Sequence, residues 1–311
     1  MARERIERIA VVGAGLMGHG IALEFAAAGF EVEMHDLTEG VLQQARSCIE
    51  GNLRMMEEKG LVGGKESRRA LENISASVEL ADVVADADLV VEAIAENLEV
   101  KQEAFRRFDE LCPEHTILAS NTSTFMPSQM AAATGRPDRV LVTHYFNPPF
   151  LLPLVEIVRG AATSEETIET VYALLEGIGK APVVVQKEVP GFIGNRMQAA
   201  VLREALALVE EGVATPQEVD TVIKTSIGRR WAVAGVFEVA EIAGLDLKLA
   251  IVEQLIPEIA STREVSQLLR DKVADGDLGF KTGKGFYEWD SESAEALRQR
   301  IAHALVEIAR W

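Results

Sequence analysis

One histidine and one glutamate have the types and spacing of a proton-transfer pair. His144 ends the apolar run 140–143, and a proline-rich segment that must turn follows it. Glu156 interrupts a second apolar run, 154–158, twelve residues further on. A carboxylate in such a run is costly unless it is paired, and a turn that folds the second run against the first would let Glu156 hold one ring nitrogen of His144. The pattern equally allows a solvent-facing Glu156 on an edge strand and a His144 without a role.

A glycine-rich turn near the N-terminus has the residue types that bind a pyrophosphate. Gly13, Gly15 and Gly18 follow the apolar run 9–12 and open a segment with helical periodicity. They would permit a tight turn, backbone approach to an anion and close helix–strand packing. Asp36 ends the next apolar run, where a carboxylate accepts hydrogen bonds from ribose hydroxyls and repels a 2′-phosphate. The pattern predicts a dinucleotide site that favours NAD over NADP, with a helix-capping Asp36 as the alternative.

Two further polar positions lie where strands or helices begin or end. The segment 120–123 (Ser-Asn-Thr-Ser) follows the apolar run 117–119. Its side chains either cap the next helix or place a hydroxyl and an amide over a nicotinamide ring. Asn195 lies in the first turns of a predicted helix, where asparagine is a poor helix former. That placement indicates a specific hydrogen bond.

The elements that must position these residues alternate between strand and helix. Short apolar runs are separated by helical patterns, notably 99–111 and 164–178, which is typical of a doubly wound, Rossmann-type α/β sheet with parallel pairing. In such a sheet the ligand crevice lies outside the carboxyl ends of the strands. The predicted strands are 9–12, 32–36, 74–78, 89–93, 117–120, 140–146, 154–158 and 182–185.

The C-terminal part of the chain has a different pattern. The segment 190–211 is predicted to be one long helix that begins at a proline, and 215–218 (Thr-Pro-Gln-Glu) has the residues of a capping box. Helical periodicity continues from there without β-branched alternation. We therefore predict a dinucleotide-binding domain over 1–187 and an all-helical domain for substrate binding and dimerisation over 188–311.

Composition limits the partners and the location. The formal charge is −18, with 49 acidic residues against 31 basic ones, and such a surface repels nucleic acid. No apolar stretch reaches the ~18 residues that a membrane span requires. The two cysteines, Cys48 and Cys112, are too few for a disulfide framework or a metal cluster. We expect a cytoplasmic protein that binds neither nucleic acid, membrane nor metal.

Six segments in the same order resemble the L-3-hydroxyacyl-CoA dehydrogenase family, and the match runs along nearly the whole chain. Several motifs in one order are far more specific than a lone glycine-rich turn. The resemblance implies an NAD-dependent oxidoreductase of fatty acid metabolism that interconverts an L-3-hydroxyacyl-CoA and a 3-oxoacyl-CoA, and a helical domain that builds a homodimer. The segments are 13–22 (GAGLMGHGIA), 91–105 (VEAIAENLEVKQEAF), 119–123 (ASNTS), 144–148 (HYFNP), 190–196 (PGFIGNR) and 278–287 (LGFKTGKGFY).

The resemblance also implies a role for each matched residue. The family's catalytic histidine and its glutamate partner fall on His144 and Glu156, and the serine and asparagine that hold the reacting oxygen fall on Ser123 and Asn195. His144 would then take the hydroxyl proton while hydride leaves C3 for the nicotinamide. Contacts to NAD are expected at Gly13, Gly15, Leu16, Met17, Gly18, Asp36, Glu96, Lys101, Ser123 and Asn147.

Departures from the family concentrate on the substrate side. The sequence after Pro148 resembles relatives that oxidise free acids such as L-gulonate or carnitine. Arg229 and Arg230 form a compact basic pair that would bind a free carboxylate or make surface ion pairs. A second basic group follows the second strand, where CoA phosphates would bind, and comprises Arg46, Arg54, Lys59, Lys65, Arg68 and Arg69. We expect a CoA ester, with a free or carrier-bound 3-hydroxy acid as the alternative.

Overall fold

The structure is a computed structural model that describes residues 6–308. Contacts divide the chain into two compact units, Met1–Asn195 and Arg196–Trp311. The predicted domain boundary between residues 187 and 188 stays a prediction. The outermost residues of the two predicted domains, 1–5 and 309–311, lie outside the described part of the chain.

The first unit is built on one sheet. Its strands are β1 (Arg8–Val12), β2 (Glu31–His35), β3 (Ile74–Ser77), β4 (Leu89–Glu92), β5 (Ile117–Ser120), β6 (Val140–Tyr145), β7 (Leu154–Arg159) and β8 (Ala181–Val185). They lie in the order β3-β2-β1-β4-β5-β6-β7-β8, and all pairs are parallel except β6 with β7. Each predicted strand is confirmed to within one residue at either end, and so is the Rossmann-type fold class.

Helices cover both faces of this sheet because its strands alternate apolar side chains between the two faces. Ile9 and Val11 of β1 belong to one buried cluster, and Ala10 and Val12 belong to the other. The first cluster includes the apolar face of α1, and the second includes Phe105 on α5. The helices are α1 (Gly18–Ala27), α2 (Glu39–Glu58), α3 (Gly64–Glu72), α4 (Leu80–Val84), α5 (Leu98–Leu111), α6 (Pro127–Ala131) and α7 (Glu165–Gly177).

The second unit is helical, as predicted. Its helices are α8 (Gly194–Glu210, which begins in the first unit), α9 (Pro216–Val222), α10 (Gly228–Trp231), α11 (Val236–Ile242), α12 (Leu245–Leu255), α13 (Gln267–Ala274) and α14 (Ser291–Ile308), with a π-helical turn at Ile223–Ile227. Only three apolar side chains of its described part are buried: Leu206, Ala294 and Val306. None of the helices within residues 6–308 has the length and apolar character to cross a membrane.

The start of α8 differs from the prediction, whereas the start of α9 agrees with it. Gly191 and Phe192 have φ angles of 76° and 50°, in the left-handed region that a right-handed helix excludes, so α8 begins at Gly194 and not at residue 190. At α9 the Thr215 hydroxyl accepts a hydrogen bond from the Glu218 amide at 3.3 Å. The Glu218 carboxylate accepts one from the Thr215 amide at 2.8 Å, which confirms the predicted capping box.

Candidate active site

The glycine turn lies at the carboxyl end of β1. Gly13 has a φ of 101°, and a Cβ there would lie 2.5 Å from the Ala93 carbonyl oxygen, so only glycine fits. A Cβ on Gly18 would lie 1.7 Å from the Gly13 oxygen, which explains the close approach of α1. A Cβ on Gly15 would meet nothing within 4 Å. The backbone at Gly15 therefore has the open space that an approaching anion requires.

Asp36 joins this turn to the end of β2. Its Oδ2 accepts a hydrogen bond from the Ala14 amide at 2.8 Å, and its Oδ1 accepts one from the Leu37 amide at 2.7 Å. The helix-capping alternative is wrong, because the Thr38 side chain caps α2. Each carboxylate oxygen keeps a lone pair for a further donor such as a ribose hydroxyl. Asp36 and Gly15 also line a cavity of about 460 Å³ with largely apolar walls.

A buried ion-pair network lies at the ends of β4 and β5. The Lys101 ammonium donates to Glu92 Oε1 at 2.6 Å and lies 3.3 Å from Glu96 Oε2. Glu92 is fully buried and also accepts hydrogen bonds from the Ser120 hydroxyl at 2.5 Å and the Ile94 amide at 2.8 Å. Lys101 is only 1% exposed. Its charge is therefore neutralised within the protein, and Glu96 is the member of the network that solvent reaches.

Glu96 holds the loop that follows β5. Its Oε1 accepts hydrogen bonds from the hydroxyls of Thr122 and Thr124, at 2.6 and 2.8 Å, and from the Ser123 amide at 3.1 Å. Burial raises the pKa of Glu96, but these hydroxyl donors and the nearby Lys101 charge outweigh it, and the pKa is lowered. The carboxylate therefore stays ionised and fixes the backbone at Ser123.

The segment 120–123 does not cap a helix, because α6 begins only several residues after it. Its polar side chains bond to other parts of the sheet instead. The Asn121 amide oxygen accepts a hydrogen bond from the Tyr145 amide at 3.0 Å and so joins the ends of β5 and β6. The Asn195 side-chain amide donates to the Ser123 carbonyl oxygen at 3.3 Å, which is a specific hydrogen bond of the kind its helical position indicated.

His144 and Glu156 are directly opposite each other in the antiparallel pair of β6 and β7. His144 Nδ1 lies 2.7 Å from Glu156 Oε2, and the two side chains are 4% and 2% exposed. The solvent-facing alternative for Glu156 is therefore wrong. Since an ionised carboxylate only accepts hydrogen bonds, Nδ1 carries the proton and Nε2 of neutral His144 has a lone pair. This arrangement can act as a general base.

The second oxygen of Glu156 lies at the start of α8. Its Oε1 accepts hydrogen bonds from the amides of Ile193 and Gly194, each at 2.9 Å. Burial raises the pKa of Glu156, but the hydrogen bonds from His144 and from these two amides lower it further than burial raises it. Glu156 therefore stays ionised beside the imidazole.

Two aromatic rings flank the imidazole of His144. The ring centroid of Phe146 is 4.7 Å from that of His144, and the centroid of Phe192 is 5.5 Å from it. Phe192 is fully buried and has a φ of 50°, an uncommon conformation for a residue with a side chain. A Cβ on Gly194 would lie 2.4 Å from the Phe146 ring, so this glycine makes room for the aromatic side chain.

The residues predicted to act on a substrate form two bonded pairs, His144 with Glu156 and Ser123 with Asn195. Asn147 is exposed in the turn after β6. Glu92, Phe146 and Phe192 were not predicted from the sequence. Glu92 ends an apolar run as Glu156 interrupts one, and that signal was sufficient to find it.

Within residues 6–308, no group of three or more histidine, cysteine, aspartate or glutamate side chains could hold a metal ion.

The residues predicted for the charged end of a substrate are exposed. Among residues 6–308, Arg229 and Arg230 meet no carboxylate, and Arg229 Nε donates to the Lys224 carbonyl oxygen at 3.2 Å. The surface ion pairs expected for them are therefore wrong. The basic group after β2 lies on α2 and α3, where Arg46 pairs with Glu50 at 3.4 Å. Five of its members are exposed, namely Arg46, Arg54, Lys65, Arg68 and Arg69.

Two family models match consecutive parts of the chain. The model of the 3-hydroxyacyl-CoA dehydrogenase NAD-binding domain matches residues 8–189, and that of the C-terminal domain of the same family matches residues 191–289. The chain belongs to the 3-hydroxyacyl-CoA dehydrogenase family. It is an NAD-dependent oxidoreductase, and the glycine turn, Asp36 and the adjoining cavity have the space and the acceptors that NAD requires.

Relatives within this dehydrogenase family differ in substrate. The chain is 40% identical to a probable 3-hydroxybutyryl-CoA dehydrogenase of Bacillus subtilis, over 93% of this chain and 99% of the relative. It is 33% identical to a 5-formyl-3-hydroxy-2-methylpyridine 4-carboxylate 5-dehydrogenase of Mesorhizobium japonicum, over 98% of both chains.

Solved structures show the same two kinds of relative. A crystal structure of a 5-formyl-3-hydroxy-2-methylpyridine 4-carboxylic acid 5-dehydrogenase superposes with a TM-score of 0.92 at 32% identity, covering 98% of both chains. An (S)-3-hydroxybutyryl-CoA dehydrogenase from Ralstonia eutropha superposes with a TM-score of 0.77 at 35% identity, covering 92% of this chain and all of that one.

Proposed function

We propose that this dehydrogenase interconverts an L-3-hydroxyacyl-CoA and the corresponding 3-oxoacyl-CoA. The observation that carries the proposal is the buried pair of His144 Nδ1 and Glu156 Oε2, 2.7 Å apart. A neutral imidazole whose Nδ1 proton is held by a carboxylate presents the Nε2 lone pair to a substrate hydroxyl. The identity of 40% to a probable 3-hydroxybutyryl-CoA dehydrogenase supports a CoA ester as the substrate.

His144 is the general base of the oxidation. Its Nε2 takes the hydroxyl proton of the substrate, and the ionised Glu156 stabilises the imidazolium that results. Ser123 and Asn195, whose side-chain amide donates to the Ser123 backbone carbonyl oxygen at 3.3 Å, orient the oxygen as it becomes a carbonyl. When bound, NAD supplies a hydride acceptor at its nicotinamide ring. In the reverse direction, His144 returns the proton to the oxygen.

The first unit holds the cofactor in this proposal. The glycine turn with Leu16 and Met17 binds the pyrophosphate at the start of α1, and Asp36 binds the adenosine ribose. Ser123 and Asn147 would contact the nicotinamide end of NAD. Glu96 would contact the cofactor directly, whereas Lys101 would act through Glu96, because its ammonium is buried between two carboxylates.

We assign the CoA phosphates to α2 and α3. Arg54, Lys65 and Arg68 are exposed there in an otherwise acidic chain of net charge −18. A local cluster of cations is what an acidic protein needs in order to hold a polyanionic ligand. The charge pattern supports this assignment. From the family we also propose that the enzyme acts in cytoplasmic fatty acid metabolism.

A free hydroxy acid is the second candidate substrate. The observation that favours it is the TM-score of 0.92 to a pyridine-carboxylate dehydrogenase, against 0.77 to a 3-hydroxybutyryl-CoA dehydrogenase of similar identity. Arg229 and Arg230 are exposed and meet no carboxylate among residues 6–308, so they remain available for the carboxylate of such an acid.

We also propose that the enzyme is a homodimer. The described part of the second unit buries only three apolar side chains, while large ones such as Leu202, Phe237 and Leu249 are at least half exposed. A monomer rarely exposes apolar surface on this scale. Light scattering at micromolar concentration is expected to give twice the mass of one chain, and a mass of one chain would contradict the proposal.

NADH oxidation with acetoacetyl-CoA, measured beside free acetoacetate at matched concentrations, tests the substrate. We expect turnover of the CoA ester, and turnover of the acid alone would favour the second candidate. His144→Gln is expected to abolish turnover and to leave NADH binding nearly intact. Retained turnover in that variant would refute the assignment of His144 as the base.

A further inference from the structure

A second buried ion pair, Glu24 with Lys180, lies in the first unit and has no part in the mechanism above. The Lys180 ammonium contacts Glu24 Oε1, and the two side chains are 4% and 13% exposed. Glu24 is on α1, the helix that begins at the glycine turn, and Lys180 directly precedes β8. Burial raises the pKa of Glu24 to about 7, against the lowering effect of Lys180.

Lys180 also binds the turn that joins β6 to β7. Its ammonium donates hydrogen bonds to the carbonyl oxygens of Pro149 and Leu152, at 2.6 and 3.0 Å. These two acceptors belong to the turn 146–153, which directly follows His144 and Tyr145. The ammonium lies 5.9 Å from the centroid of the Tyr145 ring. Lys180 is thus bonded to the turn that sets the register of the two strands carrying the proposed base and its partner.

The same turn packs closely on α1 at a second point. A Cβ on Gly20 would lie 3.1 Å from both Cγ and Cδ of Pro149, so the absence of a side chain at Gly20 lets the turn approach the helix. Gly20 and Glu24 are four residues apart and therefore lie on one face of α1. Packing at Gly20 and the ion pair at Glu24 both join this face to the turn.

We propose that Glu24 and Lys180 are positioning residues, which fix the turn 146–153 to α1 and so hold the His144–Glu156 pair in register with the glycine turn. The proposal rests on the role of His144 proposed above. Lys180 and Glu24 make different contacts. Lys180 holds the carbonyl oxygens of the turn, and Glu24 holds Lys180 to the helix. A misplacement of about 1 Å at a reacting group costs on the order of a hundredfold in rate, so loosening the turn should lower kcat.

Lys180→Met tests the proposal, because methionine keeps the length of the side chain and removes all its donors. Hydrogen exchange followed by mass spectrometry reports the turn, where the amides of Leu151 and Leu152 both donate to the Pro148 carbonyl oxygen at 3.1 Å. We expect their exchange to rise at least about tenfold. kcat is expected to fall about ten- to a hundredfold, and the dissociation constant of NADH is expected to change less than about twofold.

Two comparison variants separate positioning from a general loss of stability. Val171→Ala creates a cavity at a buried position of α7 without removing any hydrogen bond to the turn, and should lower stability without changing kcat or the exchange of the turn. Glu24→Gln keeps the donors on Lys180 and is expected to change kcat less than Lys180→Met does. If Lys180→Met fails to fold, Lys180→Arg replaces it. Arginine keeps donors but places them at a different distance from the turn, so kcat is expected to fall, by less than in Lys180→Met.

The outcomes distinguish this proposal from the proposed function. If Lys180→Met and Val171→Ala lose kcat equally, or if the exchange of the turn does not rise in Lys180→Met, the positioning role is refuted. If the wild-type enzyme turns over no 3-hydroxyacyl-CoA, the proposed function fails instead. In that case the imidazole resonance of His144, assigned with His144→Gln, still reports the register. It is expected to shift in Lys180→Met and not in Val171→Ala, and an unshifted resonance would refute the proposal.

Discussion

Replacing Glu156 by glutamine removes one negative charge and leaves the shape of the site nearly unchanged. The amide oxygen can still accept the hydrogen bonds that Ile193 and Gly194 donate to Oε1, each at 2.9 Å. The amide nitrogen then faces His144 Nδ1 at the position of Oε2. Because that nitrogen is a donor, Nδ1 must become an acceptor, and the ring proton moves to Nε2. His144 then has no lone pair for the substrate hydroxyl.

The expected loss follows from the geometry of the pair. Both side chains are buried, and the imidazolium formed during oxidation would lie against the carboxylate at a nitrogen–oxygen distance of 2.7 Å. Unit charges about 4 Å apart interact by about 4 kcal/mol at an effective dielectric constant of 20. Since each 1.4 kcal/mol or so is a factor of about ten in rate, kcat/KM is expected to fall about a thousandfold.

Steady-state oxidation of NADH with acetoacetyl-CoA measures this loss, and fluorescence titration measures the dissociation constant of NADH. The constant should change less than about twofold, because Glu156 does not line the cofactor cavity. Glu169→Gln, an exposed glutamate on α7, is the matched control and should keep full activity. A Glu156→Gln variant that keeps kcat/KM within tenfold of the wild type would show that the pair does not carry the proton transfer.

Three further changes have expected outcomes. Lys101→Met leaves the Glu92 carboxylate buried without its cation, so calorimetry should show a loss of about 3–5 kcal/mol in the free energy of unfolding; an unchanged unfolding midpoint would contradict the network. Phe146→Leu removes a ring 4.7 Å from His144 that can stabilise an imidazolium, and kcat should fall about three- to fivefold with KM unchanged; an unaltered kcat would exclude this contribution. The pKa of Glu24 is raised from 4.5 to about 7, so Glu24 binds a proton more readily in the folded than in the unfolded state. The stability that this contributes is full below pH 4.5 and is lost as the pH rises through 7. Glu24→Gln should remove this dependence, and urea unfolding at pH 5 and pH 8 should show the free-energy difference from wild type changing by about 3 kcal/mol; a difference that is independent of pH would contradict it.

Local patterns in the sequence were sufficient to predict most of the sheet and the glycine turn. Runs such as 117–120 are apolar and bounded by turn residues, and each became a strand because burial of such a run determines its conformation. The start of α8 could not be predicted in this way. Its first residues have helical periodicity, but the backbone of Gly191 and Phe192 is left-handed, Phe192 packs against His144 and the Ile193 amide donates to Glu156. Both of these partners are distant in sequence.

Side-chain partners across the fold were less accessible to sequence reasoning. The contact of Lys101 with NAD stays a prediction. The structure buries its ammonium between Glu92, at the end of β4, and Glu96, in the loop that leads to α5. The segment 120–123 had two interpretations, a helix cap or polar groups over a nicotinamide ring. Its side chains bond to Glu92, to Glu96 and to the Tyr145 amide of β6. The helix-cap interpretation failed because these partners come from β4, the loop after it and β6, which the local sequence does not reveal.

By itself the sequence determined the Rossmann-type sheet, the helical second unit, and the residue types at the proposed site. Periodicity and glycine placement depend on neighbours in the chain, which the sequence contains directly. Only the tertiary structure decided between a paired and an unpaired His144, because the antiparallel register of β6 and β7 places Glu156 opposite it. The same is true of the Glu24–Lys180 pair, whose members come from α1 and the start of β8. Residues so far apart in sequence can be identified as a pair only from the folded structure, in which the sheet and the turn between β6 and β7 pack against α1.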